Sequence, residues 1–360
     1  MTIPLIEPDL TEAEAQAAAR VIRSGRVNEG VLTAEFEQRF AQTVGTRYAV
    51  ATTSCTAALA VSLMALGIKG REVIVPDLTM IGTAMAVLLS GNEPLVVDVR
   101  PQDGCLDAAR VERALTARTA AVIPVHVNGR NALTPDLAAI ARRRRLAIVE
   151  DAACCLGSQV QEDGTFFQLG TQGTLGCFSL AATKIITTGQ GGVIVTNDPA
   201  LHERCVRLKD WGRFGEKGTN HPAVGFNFKF TDIQAAIGLQ QLERLPELMA
   251  RKRALYARYR ARLGALMLTR EDPPGFCPWY VDVTAQHLTE RLTRQGIGAT
   301  PIWPPLHRQG AMGMTNADDR YPCATALGEN VLWLPSSTKL TDAQIDAVCD
   351  AVDAAVEARV

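Results

Sequence analysis

The chain has 360 residues, of which 47% are hydrophobic and 21% charged, with a formal net charge of −1. This is globular composition, long enough for one large domain and a smaller one, and the balanced charge argues against a nucleic-acid or membrane-surface partner. Nine cysteines, none in a CxxC pair, point to reduced thiols in a cytoplasmic protein without a disulfide framework or a metal site. No signal peptide is visible behind the early acidic residues, and no apolar run approaches transmembrane length.

The first 45 residues read as an extended, Pro-containing arm and two helices. Thr11 and Glu14 form a capping box for a helix over 11–24. After the loop from Gly25 to Gly30 comes a helix with Phe36 and Phe40 on one face. Tyr48 to Ala51 is a short apolar strand. Thr52-Thr53-Ser54-Cys55-Thr56 then turns into a helix over 57–66. A strand, a hydroxyl-rich turn and a helix N-terminus make an anion site, because free N–H groups and the helix dipole converge there. An ordinary N-cap fits the same residues.

From Glu72 to Glu150 strands and helices alternate. Strands fall over 72–75, 94–97, 120–125 and 146–150, and helices over 79–89, 108–115 and 135–143. The Val- and Ile-rich strands suit burial on both faces of a parallel sheet with right-handed crossovers. The basic block Arg142 to Arg145 ends a helix, where cations suit the dipole. Ligands of such sheets gather at strand C-termini. Glu150 and Asp151 sit at one of them, and periodicity leaves open which of the two faces the site.

Next comes Cys177-Phe-Ser-Leu-Ala-Ala-Thr-Lys-Ile-Ile-Thr-Thr-Gly-Gln-Gly-Gly192. Lys184 stands there among small and apolar residues, with Ser179 five positions earlier and a Gly-rich turn behind it. Burial disfavours the ammonium form, and a neutral amine attacks carbonyls to form Schiff bases. A lysine snorkelling to solvent is the plain alternative. A strand over 192–196, a helix over 199–208, a charged Gly-containing loop over 211–224 and an apolar helix over 233–242 follow. Pro246 and a basic helix to Arg262 mark a domain boundary near 245, dividing the chain into 1–245 and 246–360. The last part mixes a strand over 280–283 with helices over 287–295 and 341–357.

Taken together these stretches resemble the DegT/DnrJ/EryC1/StrS family, the sugar aminotransferases of pyridoxal-phosphate fold type I. The resemblance runs from about Leu10 to His307. It rests on Ser54-Cys55-Thr56, Val75-Pro76-Asp77-Leu78-Thr79, Glu150-Asp151-Ala152-Ala153 and Phe178-Ser179 with Lys184. Thr187 to Gly192, Gly225-Phe226-Asn227 with Gln234-Ala235-Ala236, and Pro304-Pro305-Leu306-His307 complete it.

The resemblance implies an α/β fold with a mainly parallel large domain and a smaller C-terminal α+β domain. It implies pyridoxal 5'-phosphate, held by Lys184 as an internal aldimine, with the same lysine later moving the substrate proton. Asp151 would pair with the pyridine nitrogen. Ser54, Cys55, Thr56 and Ser179 would hold the phosphate, and Asn227 would reach it from a neighbouring subunit, in a homodimer with shared sites. Asn28, Thr79 and His307 would bind substrate, although His307 also reads as a loop histidine satisfied by backbone. Met80 stands where the family often stacks an aromatic ring, Cys154 where a polar side chain often meets the cofactor's edge, and Gln190 where Glu is usual. Dehydratase relatives carry His at the lysine position, so Lys184 favours transamination, from glutamate to a nucleotide-linked keto sugar by a ping-pong route. A keto-inositol aminotransferase and a non-catalytic binding protein are the competing readings.

Overall fold

The computed structural model describes residues 2–215, 220–270, 272–314 and 317–357. After the N-terminal arm come α1 (Glu12–Ser24) and α2 (Val31–Val44). The capping box is present: Thr11 Oγ1 accepts from the Ala13 amide, and Glu14 accepts from the Thr11 amide. Then follow β1 (Tyr48–Thr52), α3 (Cys55–Ala65), β2 (Glu72–Pro76), α4 (Gly82–Leu89), β3 (Glu93–Val97), α5 (Ala108–Ala114), β4 (Thr119–Val122), α6 (Pro135–Arg144) and β5 (Ala147–Asp151). A hairpin, β6 (Gln159–Glu162) and β7 (Thr165–Gln168), precedes β8 (Leu175–Ser179), β9 (Gly192–Thr196), α7 (Pro199–Lys209) and α8 (Asp232–Leu263). The C-terminal part holds β10 (Val281–Val283), α9 (Thr289–Arg294), β11 (Thr300–Pro301), α10 (Pro322–Asn330), β12 (Leu332–Leu334) and α11 (Asp342–Glu357).

The described residues form a seven-stranded sheet in the order β1-β9-β8-β5-β4-β2-β3. The pairs β2–β3, β2–β4, β4–β5 and β5–β8 are parallel, while β9 runs antiparallel to both β1 and β8. This is the expected mainly parallel sheet. Under it, the buried rings of Phe36 and Phe40 meet Phe178 of β8 and Phe230, which confirms the apolar face read on α2.

A three-stranded sheet, β10-β12-β11, packs with α11 and the second half of α8 around Tyr259, Leu263, Ile345 and Val348. Ile3 of the arm joins this core and bridges to Ile297. Here the elements differ from expectation. The helices expected on either side of Pro246 are one helix, α8. An internal proline costs about 3 kcal/mol. Leu245, Leu248, Leu255 and Tyr259 are buried along that helix, and each contributes about 1.5–3 kcal/mol. The expected helix over 287–295 shortens to a 3₁₀ turn and α9. Of the loop expected over 211–224, residues 216–219 lie outside the described residues.

Candidate active site

Four turns leave the carboxyl ends of β1, β2, β5 and β8 along one edge of the sheet, and the site is built from them. Register brings the first and last together. Gly192 of β9 pairs with Thr52 on one side and with Ser179 on the other. A Cβ at Gly192 would lie 2.4 Å from the Ser54 carbonyl and 2.5 Å from the Cys55 nitrogen, so only glycine lets β9 pass the start of α3. Ser54 is the N-cap of α3, and its Oγ accepts from the Ala57 amide at 3.1 Å. The amides of Cys55 and Thr56 belong to the first turn, which has no carbonyl partners inside the helix. Next to them a Cβ at Gly82 would meet Thr56 Oγ1 at 2.7 Å, so glycine keeps the space beside that hydroxyl open.

At the end of β5 the pleat separates two adjacent carboxylates. Glu150 is fully buried on one face. It accepts from the amides of Gly170 (3.2 Å), Gln172 (2.8 Å) and Gly173 (2.5 Å) and from His126 Nε2 (2.8 Å). Nδ1 of His126 accepts from the Ala132 amide at 3.1 Å, which puts the ring proton on Nε2. Asp151 faces the other way, into the cavity that Lys184 lines. Its oxygens accept from Thr83 Oγ1 (2.8 Å) and the Ala153 amide (3.1 Å), and Thr83 Oγ1 lies 2.9 Å from Thr79 Oγ1. Burial raises the Asp151 carboxyl above its ordinary range, against those two hydrogen bonds. The choice between Glu150 and Asp151 that periodicity leaves open is therefore made by the pleat.

Lys184 follows β8 in a turn closed by its amide on the Ala181 carbonyl at 2.9 Å. Its Nζ lies 3.3 Å from Cys154 Sγ and 3.3 Å from the centroid of the Trp279 ring. Among the described residues no carboxylate lies within ion-pair distance of it. Burial pushes the Cys154 thiol up to about 11, so this neighbour is an uncharged group at neutral pH. The cavity is about 310 Å³ and reaches from Thr56, Met80 and Asp151 to a wall of Trp279, Tyr280, Trp303 and Trp333. Met80 is half-exposed, and its Sδ accepts from the Gly82 amide at 3.0 Å.

Cys55, Thr56, Thr79, Met80, Asp151, Cys154, Ser179 and Lys184 thus all border one cavity. Ser54 acts behind it as the helix cap. Three expected residues are not brought there within this chain. Asn28 is exposed, and its carbonyl accepts from the Asp232 amide. Asn227 is exposed and bridges Asp210. His307 is buried between carboxylates, with Nδ1 2.5 Å from Asp77 and Nε2 2.8 Å from Asp318, and its ring stacks on Tyr321. The expected backbone partners are not what satisfy the ring: the carboxylates of Asp77, at the end of β2, and of Asp318, in a neighbouring loop, take both nitrogens. Sequence reasoning missed Thr83, four residues after Thr79 on the next turn, and the aromatic wall. Three of the four tryptophans stand on that wall, a concentration visible in the 279–333 stretch.

The donor set matches pyridoxal 5'-phosphate. A lysine amine and a buried carboxyl that has no cationic partner within ion-pair distance among the described residues share the cavity with a helix N-terminus flanked by hydroxyls. The fold and this set define an aminotransferase of fold type I. The sequence profile of the DegT/DnrJ/EryC1/StrS aminotransferase family matches residues 8–353, and the chain belongs to that family of pyridoxal-phosphate-dependent enzymes. It is 38% identical over 347 residues to GDP-perosamine synthase of Caulobacter vibrioides, covering 90% of each chain. The GDP-perosamine synthase of Escherichia coli O157:H7 is 31% identical over 362 residues, with 98% of each chain covered. A putative sugar aminotransferase from Streptococcus pneumoniae, solved in its PLP form, superposes with a TM-score of 0.93 at 26% identity over 100% of both chains.

Proposed function

We propose that the protein moves an amino group from L-glutamate to the keto carbon of a nucleotide-linked deoxysugar, by a ping-pong route, as a cytoplasmic homodimer. A GDP-linked keto sugar is the acceptor we favour, by analogy with the two GDP-perosamine synthases. The observation that carries the reading is Lys184 Nζ and Asp151 facing one cavity walled by tryptophans.

Bound pyridoxal phosphate supplies an electrophilic carbon and a ring that accepts electrons. The chain's own residues do the rest. Lys184 Nζ would hold the cofactor and would serve as the base that moves a proton at the donor's α-carbon. The Thr83 hydroxyl and Ala153 amide fix Asp151, whose carboxylate would pair with the cofactor's protonated ring nitrogen. The first amides of α3 and the hydroxyls of Thr56 and Ser179 would hold the phosphate. Asn227, exposed in its own chain, would complete the phosphate site of a partner subunit. The indole wall covers one side of Lys184 and would offer apolar faces to a sugar ring. Asn28 and His307 lie outside this cavity, so any part they take in substrate binding lies at its rim or across a subunit interface. The cut near residue 245 would separate the cofactor-binding part from the smaller part that carries the wall.

The test is direct. Purified, cofactor-loaded protein is mixed with L-glutamate and, separately, with GDP-perosamine in the reverse direction. Absorbance should report cofactor conversion in both, and mass spectrometry should detect 2-oxoglutarate and a GDP-linked keto sugar. Conversion by glutamate with none by GDP-perosamine would reject this acceptor. Conversion by neither would reject the proposal.

A further inference from the structure

Lys252 lies on α8 and is 2% exposed, yet among the described residues it has no carboxylate partner. Burying an amine without a counter-charge is costly, and burial pushes this one down to about 8. Its Nζ donates to two backbone carbonyls, those of Trp279 and of Ser336, the latter at 2.6 Å. Apolar side chains of the same length would fill the space without that cost.

What the two carbonyls share is the aromatic wall. Trp279 lays its ring over Lys184 Nζ and donates its indole N–H to the Thr183 carbonyl at 2.7 Å, one residue before the lysine. Ser336 lies two residues beyond β12, the strand that carries Trp333. Its hydroxyl accepts from the Val281 amide (2.9 Å), and its amide donates to the carbonyl of Leu5 (2.8 Å), which also lines the cavity. One ammonium therefore joins the backbone at Trp279, the end of β12 and, through Ser336, the N-terminal arm.

We infer that Lys252 is a positioning residue for the active site: by holding the Trp279 carbonyl it sets the indole against Lys184 and so fixes the wall of the cavity. The inference rests on the reading of Lys184 as the reactive lysine. It assigns Lys252 no contact with substrate or cofactor.

A residue that acts through Trp279 should lose its effect once Trp279 is changed, whereas a plain structural staple should act independently of it. The test is a double-mutant cycle of Lys252→Met and Trp279→Phe. Two quantities are measured. One is the dissociation constant for pyridoxal phosphate, from absorbance titration. The other is the rate at which Lys184 of the cofactor-free chain is acetylated by an amine-reactive ester, from peptide mass spectrometry. Lys252→Met alone should weaken cofactor binding and speed Lys184 acetylation by about tenfold, and in the Trp279→Phe background by less than about twofold. Lys252→Gln, which retains a donor for one carbonyl, should shift both in the same sense by less, and it carries the cycle if the Met variant does not fold. Effects that multiply across the cycle, or a Lys252 variant that matches the parent, would overturn the inference. Should the parent fail to bind the cofactor, the reading of Lys184 falls, while the acetylation cycle still decides whether Lys252 sets the indole.

Discussion

Replacing Glu150 with glutamine and Asp151 with asparagine makes the same chemical change at neighbouring residues, and the two should fail in different ways. Glu150 is fully buried and accepts four hydrogen bonds, two on each oxygen. A glutamine amide in either orientation presents N–H to two donors, leaving those donors unpaired. Bonds to a charged group contribute about 1.5–3 kcal/mol each, so the loss is about 3–6 kcal/mol. That is a large share of the roughly 5–15 kcal/mol that holds a typical fold. At Asp151, asparagine Oδ1 keeps the Ala153 amide. The Thr83 hydroxyl can turn its proton to Thr79 Oγ1, 2.9 Å away, and accept from the new amide. The stability cost should stay within about 1 kcal/mol. Its catalytic cost is larger. At an effective dielectric of about 20, a carboxylate and a pyridinium about 4 Å apart attract by about 4 kcal/mol, which corresponds to about a thousandfold in rate. Urea denaturation followed by circular dichroism and a glutamate half-reaction assay on both variants separate the outcomes. A Glu150→Gln protein as stable as the parent, or an Asp151→Asn protein that turns over normally, would refute the division of labour across the pleat.

Borohydride reduction of the loaded protein should fix the cofactor on the peptide containing Lys184, and label on Lys229 instead would sink that assignment. Lys184→Ala and Lys184→Arg should stay folded and lose turnover by orders of magnitude, because arginine supplies no neutral amine. Burial holds the Lys252 ammonium near 8 in the fold against 10.5 outside it. The unfolded chain then binds more protons between those values, so Lys252 makes stability rise with pH across that window. Lys252→Met should lose this rise relative to the parent in urea midpoints measured from pH 7 to 10, and parallel curves would contradict it. Refolding Lys184→Ala together with a folded but inactive bulky Asn227 variant should restore activity, at up to one working site per mixed dimer. Mixed dimers seen by native mass spectrometry without activity would place Asn227 in its own chain's site.

Much of the sheet is legible in the sequence because β2, β3 and β9 are short Val-rich runs, each followed by a helix. The two helix boundaries near Pro246 are not, because the penalty of an internal proline is local, whereas the burial that offsets it comes from distant segments, Leu245 and Leu248 packing into the core of the large sheet and Leu255 and Tyr259 into that of the small sheet. The strands of that small sheet are two or three residues long, too short for a period to show. The hairpin β6–β7 is legible only in hindsight, from Asp163-Gly164 between its arms, where both residues take positive φ.

The site divides along the same line. Its floor comes from residues adjacent in sequence to strand ends, so Lys184, Asp151, Ser179 and the Ser54-Cys55-Thr56 turn can be read locally and joined by the rule that ligands gather at carboxyl ends. Which neighbour faces the cavity needed the register, since Glu150 and Asp151 differ only in the side of the pleat they occupy. Its wall comes from Trp279, Trp303 and Trp333, which stand on segments with no shared period and meet only when the small sheet folds back over Lys184. His307 shows the converse. Its place beside Pro304-Pro305 suggests a binding loop, but Asp77 at the end of β2 claims its Nδ1 and its amide, and Asp318 claims Nε2. Its partner at the strand end lies 230 residues away in the chain, a distance over which no motif reports who will meet whom. That carboxylate follows the strand whose next turn supplies Thr79 and Met80, so the histidine ties the loop over 304–308 to the very edge of the cavity.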